Sequence, residues 1–169
     1  MQKKQAILAQ KNIELCEKQN AICVINDKIQ NWQKYLPAGS IDVIFANPPY
    51  FKFDKNVCGN CQEKVLSRFD KELPLEEFFG VCGKLLKFGG KLYFVCDSSR
   101  LAECILQMKR FGICIKQMYF VHPNQNKNST VFLCQATLGG KEDLKVLPPL
   151  FTNNLDGDYI QTIQKLYKK

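Results

Sequence analysis

Ile41-Asp42-Val43-Ile44-Phe45-Ala46-Asn47-Pro48-Pro49-Tyr50-Phe51 is the stretch whose reading decides the fold. Val43, Ile44 and Phe45 are consecutive apolar residues, β-branched or aromatic, as in a strand buried on both faces. Pro48 and Pro49 have no N–H to give a ladder and fix φ, so the strand ends there. The residue before a proline is pushed to extended geometry, which holds Asn47 out at the strand's C-terminal edge. In open α/β sheets that edge is where ligands bind.

Such a loop suits transfer to a planar amino group. An adenine or carboxamide nitrogen is a poor nucleophile because its lone pair is delocalised. It improves when both its N–H groups are held by acceptors that favour pyramidal geometry. Asn47 can offer its side-chain carbonyl and Pro48 its backbone carbonyl, on a loop made rigid by Pro49. Tyr50 can stack on the flat substrate. No general base is needed before transfer. The competing reading is a plain strand-ending turn, since Asn-Pro is a common turn dipeptide.

Working outward, 169 residues fit one domain with a core that needs no staples. No apolar run approaches the roughly 18 residues of a membrane span, and Met1–Gln5 lacks the apolar core of a signal peptide, so a cytoplasmic protein without membrane contact is expected. Nine cysteines, an odd number, lie mostly inside apolar runs, where reduced Cys acts as a small hydrophobe. Cys58-Gly-Asn-Cys61 stands without a second pair or a nearby His, so no metal site is expected. The net charge of +8 comes mostly from lysine and suits either a solvated surface or a polyanionic partner.

Residues 3–19 read as an amphipathic helix, and Ala21–Ile25 as a short strand closed by Asn26-Asp27. Lys28–Leu36 reads as a turn or short helix with Trp32 half-buried. Lys52–Ser67 has no clear period and reads as a loop over the site, from which Arg68 can reach a phosphate. Pro74 starts a helix to Leu86, Gly89-Gly90 end that segment, and Lys91–Cys96 is a buried strand. Asp97 caps a helix to Phe111, and Gly112 leads into strand 113–121. His122-Pro123, a polar loop and strand 130–138 follow, then an extended run ended by Pro148-Pro149 and a last helix over 158–168. The order is that of the second half of a doubly wound sheet with a terminal antiparallel hairpin.

Asn47-Pro48-Pro49-Tyr50 after an apolar strand resembles the catalytic motif of S-adenosylmethionine-dependent amino methyltransferases. With Phe51, Arg68, Gly89-Gly90-Lys91, Phe120-Val121-His122-Pro123, Asn128-Ser129-Thr130-Val131 and Leu147-Pro148-Pro149-Leu150, nearly the whole chain resembles the bacterial enzymes that methylate the adenine beside the anticodon of a valine tRNA, A37. The resemblance implies a Rossmann-like class I methyltransferase sheet, S-adenosylmethionine as cofactor and tRNA as partner. It implies catalytic roles for Asn47, Pro48, Pro49 and Tyr50, and cofactor contacts at Asp27 and Asn47. Substrate contacts are implied at Tyr50, Phe51, Arg68 and His122. Two of these have equally simple readings: Asp27 can end a strand or cap the next turn, and a lone His at a strand end can be a hydrogen-bonded surface residue.

The sequence also departs from that family. Its members begin with a strand and a Gly-rich loop for the cofactor's amino-acid end, then a second strand ending in an acidic residue for the ribose. No glycine precedes Gly39 here. The expectation is a single partial domain over 1–169, missing the first βαβ unit, with exposed sheet edges and uncovered apolar faces. A separately encoded N-terminal half is then a possible partner, and S-adenosylmethionine affinity is expected to be millimolar at best, about −4 kcal/mol. Two other functions stay open: protein-glutamine methylation, which shares Asn-Pro-Pro-Tyr, and a non-catalytic RNA-binding remnant.

Overall fold

Pro48 and Pro49 end β1 (Ile41–Ala46) as their chemistry requires. The structure, a computed structural model, describes residues 3–49 and 73–167. Within them, Pro74 precedes α2 (Leu75–Leu85), with Glu76 and Glu77 in its first turn and Lys84 in its last, each suited to the helix dipole. No loop separates this helix from β2 (Leu86–Asp97). The strand runs through Gly89 and Gly90 rather than starting after them, and the physical reason is space. A Cβ on Gly90 would stand 2.8 Å from the Lys87 carbonyl and 3.2 Å from that of Asp42, and Gly89 has φ +78°. Here β1 joins β2 in parallel, with a register shift between Ile41 and Val43.

Asp97 accepts a hydrogen bond from the Ser99 N–H at 2.9 Å and opens a 3₁₀ turn that feeds α3 (Leu101–Arg110). Gly112, at φ +68°, turns the chain into β3 (Ile113–His122), which returns antiparallel as β4 (Val131–Leu138). The strand order is β1-β2-β4-β3, with β5 (Lys145–Val146) and β6 (Leu150–Phe151) each parallel to β3. A short α4 (Gln161–Tyr167) follows. This is the expected α/β architecture: an open sheet, mostly parallel at β1–β2, with an antiparallel hairpin toward the C-terminus.

One face of the sheet carries the core. Leu92, Phe94 and Cys96 of β2 and Phe132, Cys134 and Ala136 of β4 bury against Phe79 and Cys82 of α2 and Cys104 and Met108 of α3. Phe94 sits edge-on to Phe79 at 5.3 Å and to Phe132 at 5.7 Å, an arrangement that adds about 0.5–1.5 kcal/mol per pair beyond burial. Arg100, buried beside this core, forks onto Glu103 through Nε at 3.0 Å and Nη2 at 2.7 Å.

Four expectations change. The helix α1 covers Lys3–Leu15, not 3–19, because Glu17 takes φ +54° and the Glu17 and Lys18 N–H groups fold back onto Glu14 and Ile13. Ala21–Ile25 is not a strand: among the described residues no strand pairs with it, and Ile22 and Ile25 are exposed. Strand β1 is not buried on both faces. Ile44 packs toward the core, but Val43 is exposed and Phe45 is 78% exposed, because among the described residues nothing covers the second face of the sheet. Trp32 is more buried than expected, packed with Val81 and Leu85 under the 3₁₀ helix Ile29–Lys34.

Candidate active site

Strand β1 delivers Asn47 to the C-terminal edge of the sheet, one residue past the Ala46–Phe94 pair. Asn47 is exposed, Pro48 buried and Pro49 half-buried. The polar side chain is thus presented while the ring behind it is anchored, an arrangement that keeps the amide and the Pro48 carbonyl in fixed relation. Beside Asn47, on the uncovered face, Phe45 and Tyr93 stack at 4.8 Å with 12° between their planes. They line a groove of about 590 Å³ with Asn47, Val95, Gln117, Tyr119, Leu133 and Gln135. Sequence reasoning missed Tyr93 and Phe45. The signal lay in the alternation of Lys91–Cys96, where Leu92, Phe94 and Cys96 point to the core and Tyr93 to the other side.

β1, β2 and β3 run parallel to one another, since β4 is antiparallel to both β2 and β3. Asn47, Asp97 and His122 therefore share one edge. His122 is three strands from Asn47, about 14 Å at the usual strand spacing. The Asp97–Val131–Val121 register also sets it about 10 Å further along the strand direction. The structure thus brings His122 to the same edge but not beside Asn47. Its Nδ1 lies 2.8 Å from the Lys127 carbonyl and its ring 5.7 Å from Phe151.

Asp27 makes four contacts of its own. One carboxylate oxygen accepts from the Lys28 N–H and the Asn31 amide, both at 2.7 Å; the other accepts from the Tyr35 hydroxyl at 2.8 Å and Lys34 at 3.5 Å. The hydrogen bonds from Asn31 and Tyr35 hold the carboxyl well below the usual carboxylate range, and the Asp27 carboxylate in turn raises the Tyr35 phenol. A carboxylate has about four acceptor positions. A cofactor could reach this one only by displacing a partner, with Lys34 the most weakly held.

The cysteines of the core are not nucleophiles for this edge. Burial pushes the Cys82 and Cys134 thiols up to about 12. Cys104 donates to Cys96 at 3.7 Å, which makes Cys96 the more acidic of a fully buried pair. Tyr50, Phe51, Arg68, Cys58 and Cys61 lie outside the described residues. Among the described residues no cluster of three or more His, Cys, Asp or Glu could hold a metal ion, and no helix is long and apolar enough to cross a membrane.

No family model matches the sequence, and no curated protein does. Solved structures do. A predicted O-methyltransferase, protein Atu636 from Agrobacterium tumefaciens, superposes with a TM-score of 0.70 at 16% identity, over 98% of this chain and 73% of that one. This likeness establishes the fold, a methyltransferase-type α/β sheet. TTHA0409 from Thermus thermophilus, provisionally described as a DNA modification methylase and solved with S-adenosylmethionine, aligns with a TM-score of 0.47 at 15% identity, over 67% of this chain and 54% of that one. The M1.HpyAVI complex with SAM gives 0.44 at 16% identity, over 76% and 61%. The chain spans about half the length of TTHA0409, and the fold assignment rests on the first comparison alone.

Proposed function

We propose that the chain is an S-adenosylmethionine-dependent methyltransferase, or the substrate-side part of one, acting on the exocyclic amino group of adenine in RNA. The adenine beside the anticodon of a valine tRNA is the substrate its motifs favour. The observation that carries the reading is the exposed Asn47 on the anchored Pro48-Pro49 turn at the C-terminal edge of β1. In this reading the Asn47 side-chain carbonyl and the Pro48 backbone carbonyl accept the two N–H groups of the amine. Holding both favours pyramidal nitrogen and frees its lone pair. After transfer the nitrogen is positively charged and releases its proton to water, so no base is required at Asn47.

S-adenosylmethionine would supply the methyl group. The residues present fit it unevenly. The Asn47-Pro48 edge is open to a ligand, whereas Asp27 accepts a cofactor only if Lys34 gives way. Tyr50 as a stacking residue and Phe51 and Arg68 as substrate contacts belong to the same proposal, as does a partial domain that works with a separately supplied first βαβ unit. The lysine-rich charge of +8 supports RNA over a peptide substrate, since phosphate neutralisation releases counterions.

The test offers the protein a valine tRNA transcript and a release-factor peptide with millimolar S-adenosylmethionine, and identifies products by nucleoside and peptide mass spectrometry. N6-methyladenosine, with tRNA affinity falling steeply as salt rises, is the expected result. Methylated glutamine in the peptide moves the assignment to protein methylation. Salt-sensitive tRNA binding without any product leaves a non-catalytic RNA-binding protein.

A further inference from the structure

Cys96 lies near the end of β2 and Cys104 in the first turn of α3, and neither has accessible surface. Their sulfurs stand 3.7 Å apart, with Cys104 donating its S–H to Cys96. The two thiols are chemically unequal. The hydrogen bond from Cys104, then the Arg100 guanidinium, lower the Cys96 thiol against burial and the neighbouring Asp97 carboxylate. Cys104 is raised by holding that proton for Cys96, by burial and by Glu103. Cys96 is thus suited to be the thiolate that attacks, and Cys104 the thiol that follows. Arg100 is buried but forks onto Glu103, whose side chain is 38% exposed, so a line of polar groups leads from beside the sulfurs to solvent. An S–S bond is about 2 Å long, so the sulfurs need to approach by about 1.7 Å. That movement falls on the 3₁₀ turn Ser98–Arg100 and the first turn of α3, the chain that joins the two cysteines.

We propose that Cys96 and Cys104 form a dithiol site oxidised by hydrogen peroxide, closing to a disulfide that ties β2 to α3. The Cys96 thiolate attacks one peroxide oxygen; the O–O bond breaks, and the departing hydroxide takes up the proton Cys96 has lost, leaving water and a Cys96 sulfenic acid. Cys104 then attacks the Cys96 sulfur; the S–S bond forms, the S–O bond breaks, and hydroxide leaves with the Cys104 proton as a second water. The two sulfurs together lose two electrons and the peroxide gains them. Peroxide is small and polar enough to follow the Arg100–Glu103 pair inward, which a bulky disulfide oxidant is not. The bond would fix the turn that Asp97 caps, at the sheet edge that also carries Asn47. Nothing in the proposal depends on methyl transfer.

The test treats the reduced full chain with hydrogen peroxide at neutral pH, denatures it in N-ethylmaleimide and maps tryptic peptides without reduction. Trypsin cuts after Arg100, so Cys96 and Cys104 fall in separate peptides and a bond between them is read directly. The expected product is a Cys96–Cys104 disulfide that forms about tenfold faster than Cys82 or Cys134 is oxidised, since burial pushes those two thiols up to about 12. Dithiothreitol should restore both thiols. Cys104→Ser keeps a hydroxyl donor beside Cys96 but cannot close the bond, so a dimedone adduct should accumulate on Cys96. The proposal is overturned if Cys96 and Cys104 both stay maleimide-labelled under peroxide that oxidises the exposed Cys16 and Cys23. It is equally overturned if the bond forms only in urea, or if folded Cys104→Ser gives no dimedone adduct on Cys96. Should that variant fail to fold, the peptide map of the unsubstituted chain decides alone.

Discussion

On the face of the sheet toward α2 and α3, Leu92, Cys96, Phe132 and Ala136 have no accessible surface; on the opposite face Phe45 is 78%, Tyr119 41% and Leu133 38% exposed. Phe132 and Leu133 come from the same strand, one position apart. A strand's alternation states which side chains share a face, but burial depends on what a different part of a protein lays across that face. The closed face has α2 and α3. The other, among the described residues, is open, and it is the one that carries the Phe45–Tyr93 stack beside Asn47.

Phe132 and Leu133 give the largest test of this contrast. Phe132→Ala should lose about 3–5 kcal/mol, by transfer plus cavity, in urea denaturation. Leu133→Ala, its immediate neighbour on the open face, should stay within about 0.5 kcal/mol. Equal losses would mean that the second face is covered in solution. The next largest effect separates chemistry from packing within β1. Asn47→Ala should slow methyl transfer about 100-fold with an unchanged melting temperature, because the side chain is exposed. A normal rate would remove the strand-end amide from the mechanism.

The smallest effect concerns Asp27, in the segment before the sheet. Its folded carboxyl titrates below the unfolded value of about 4, so the stability it contributes is full above the ordinary carboxylate range and fades as pH falls through the lowered value. Tyr35 has the opposite sign: its phenol is raised, so its contribution is full below about pH 10 and fades as pH climbs through the raised value. Amide exchange across residues 27–35 should therefore speed up at both extremes, and Asp27→Asn should flatten the acid limb. An unchanged acid limb in that variant would show that these four contacts do not hold the turn.

What the sequence by itself determined about this protein is where the backbone has no choice. Pro48-Pro49 stop β1, Pro74 opens α2, Asp97 caps the next turn and Gly112 permits the φ that redirects the chain into β3. These are constraints of φ, of a missing N–H or of one short side chain, and they act within a few residues. They also placed Asn47 at the strand end, the centre of the candidate site. Only the tertiary structure decided the rest. Ala21–Ile25 has strand composition but no partner among the described residues, and a strand is held by hydrogen bonds to another segment. Val43 and Phe45 read as core, yet their face meets no described helix. His122 reaches the same edge as Asn47, but the β1-β2-β4-β3 order sets two strands between their own, a separation no local pattern encodes. The Asp27 carboxylate fills because the 3₁₀ turn folds Asn31 and Tyr35 back onto it. Pairing, burial and distance depend on residues far away in the chain, and a local pattern cannot name them.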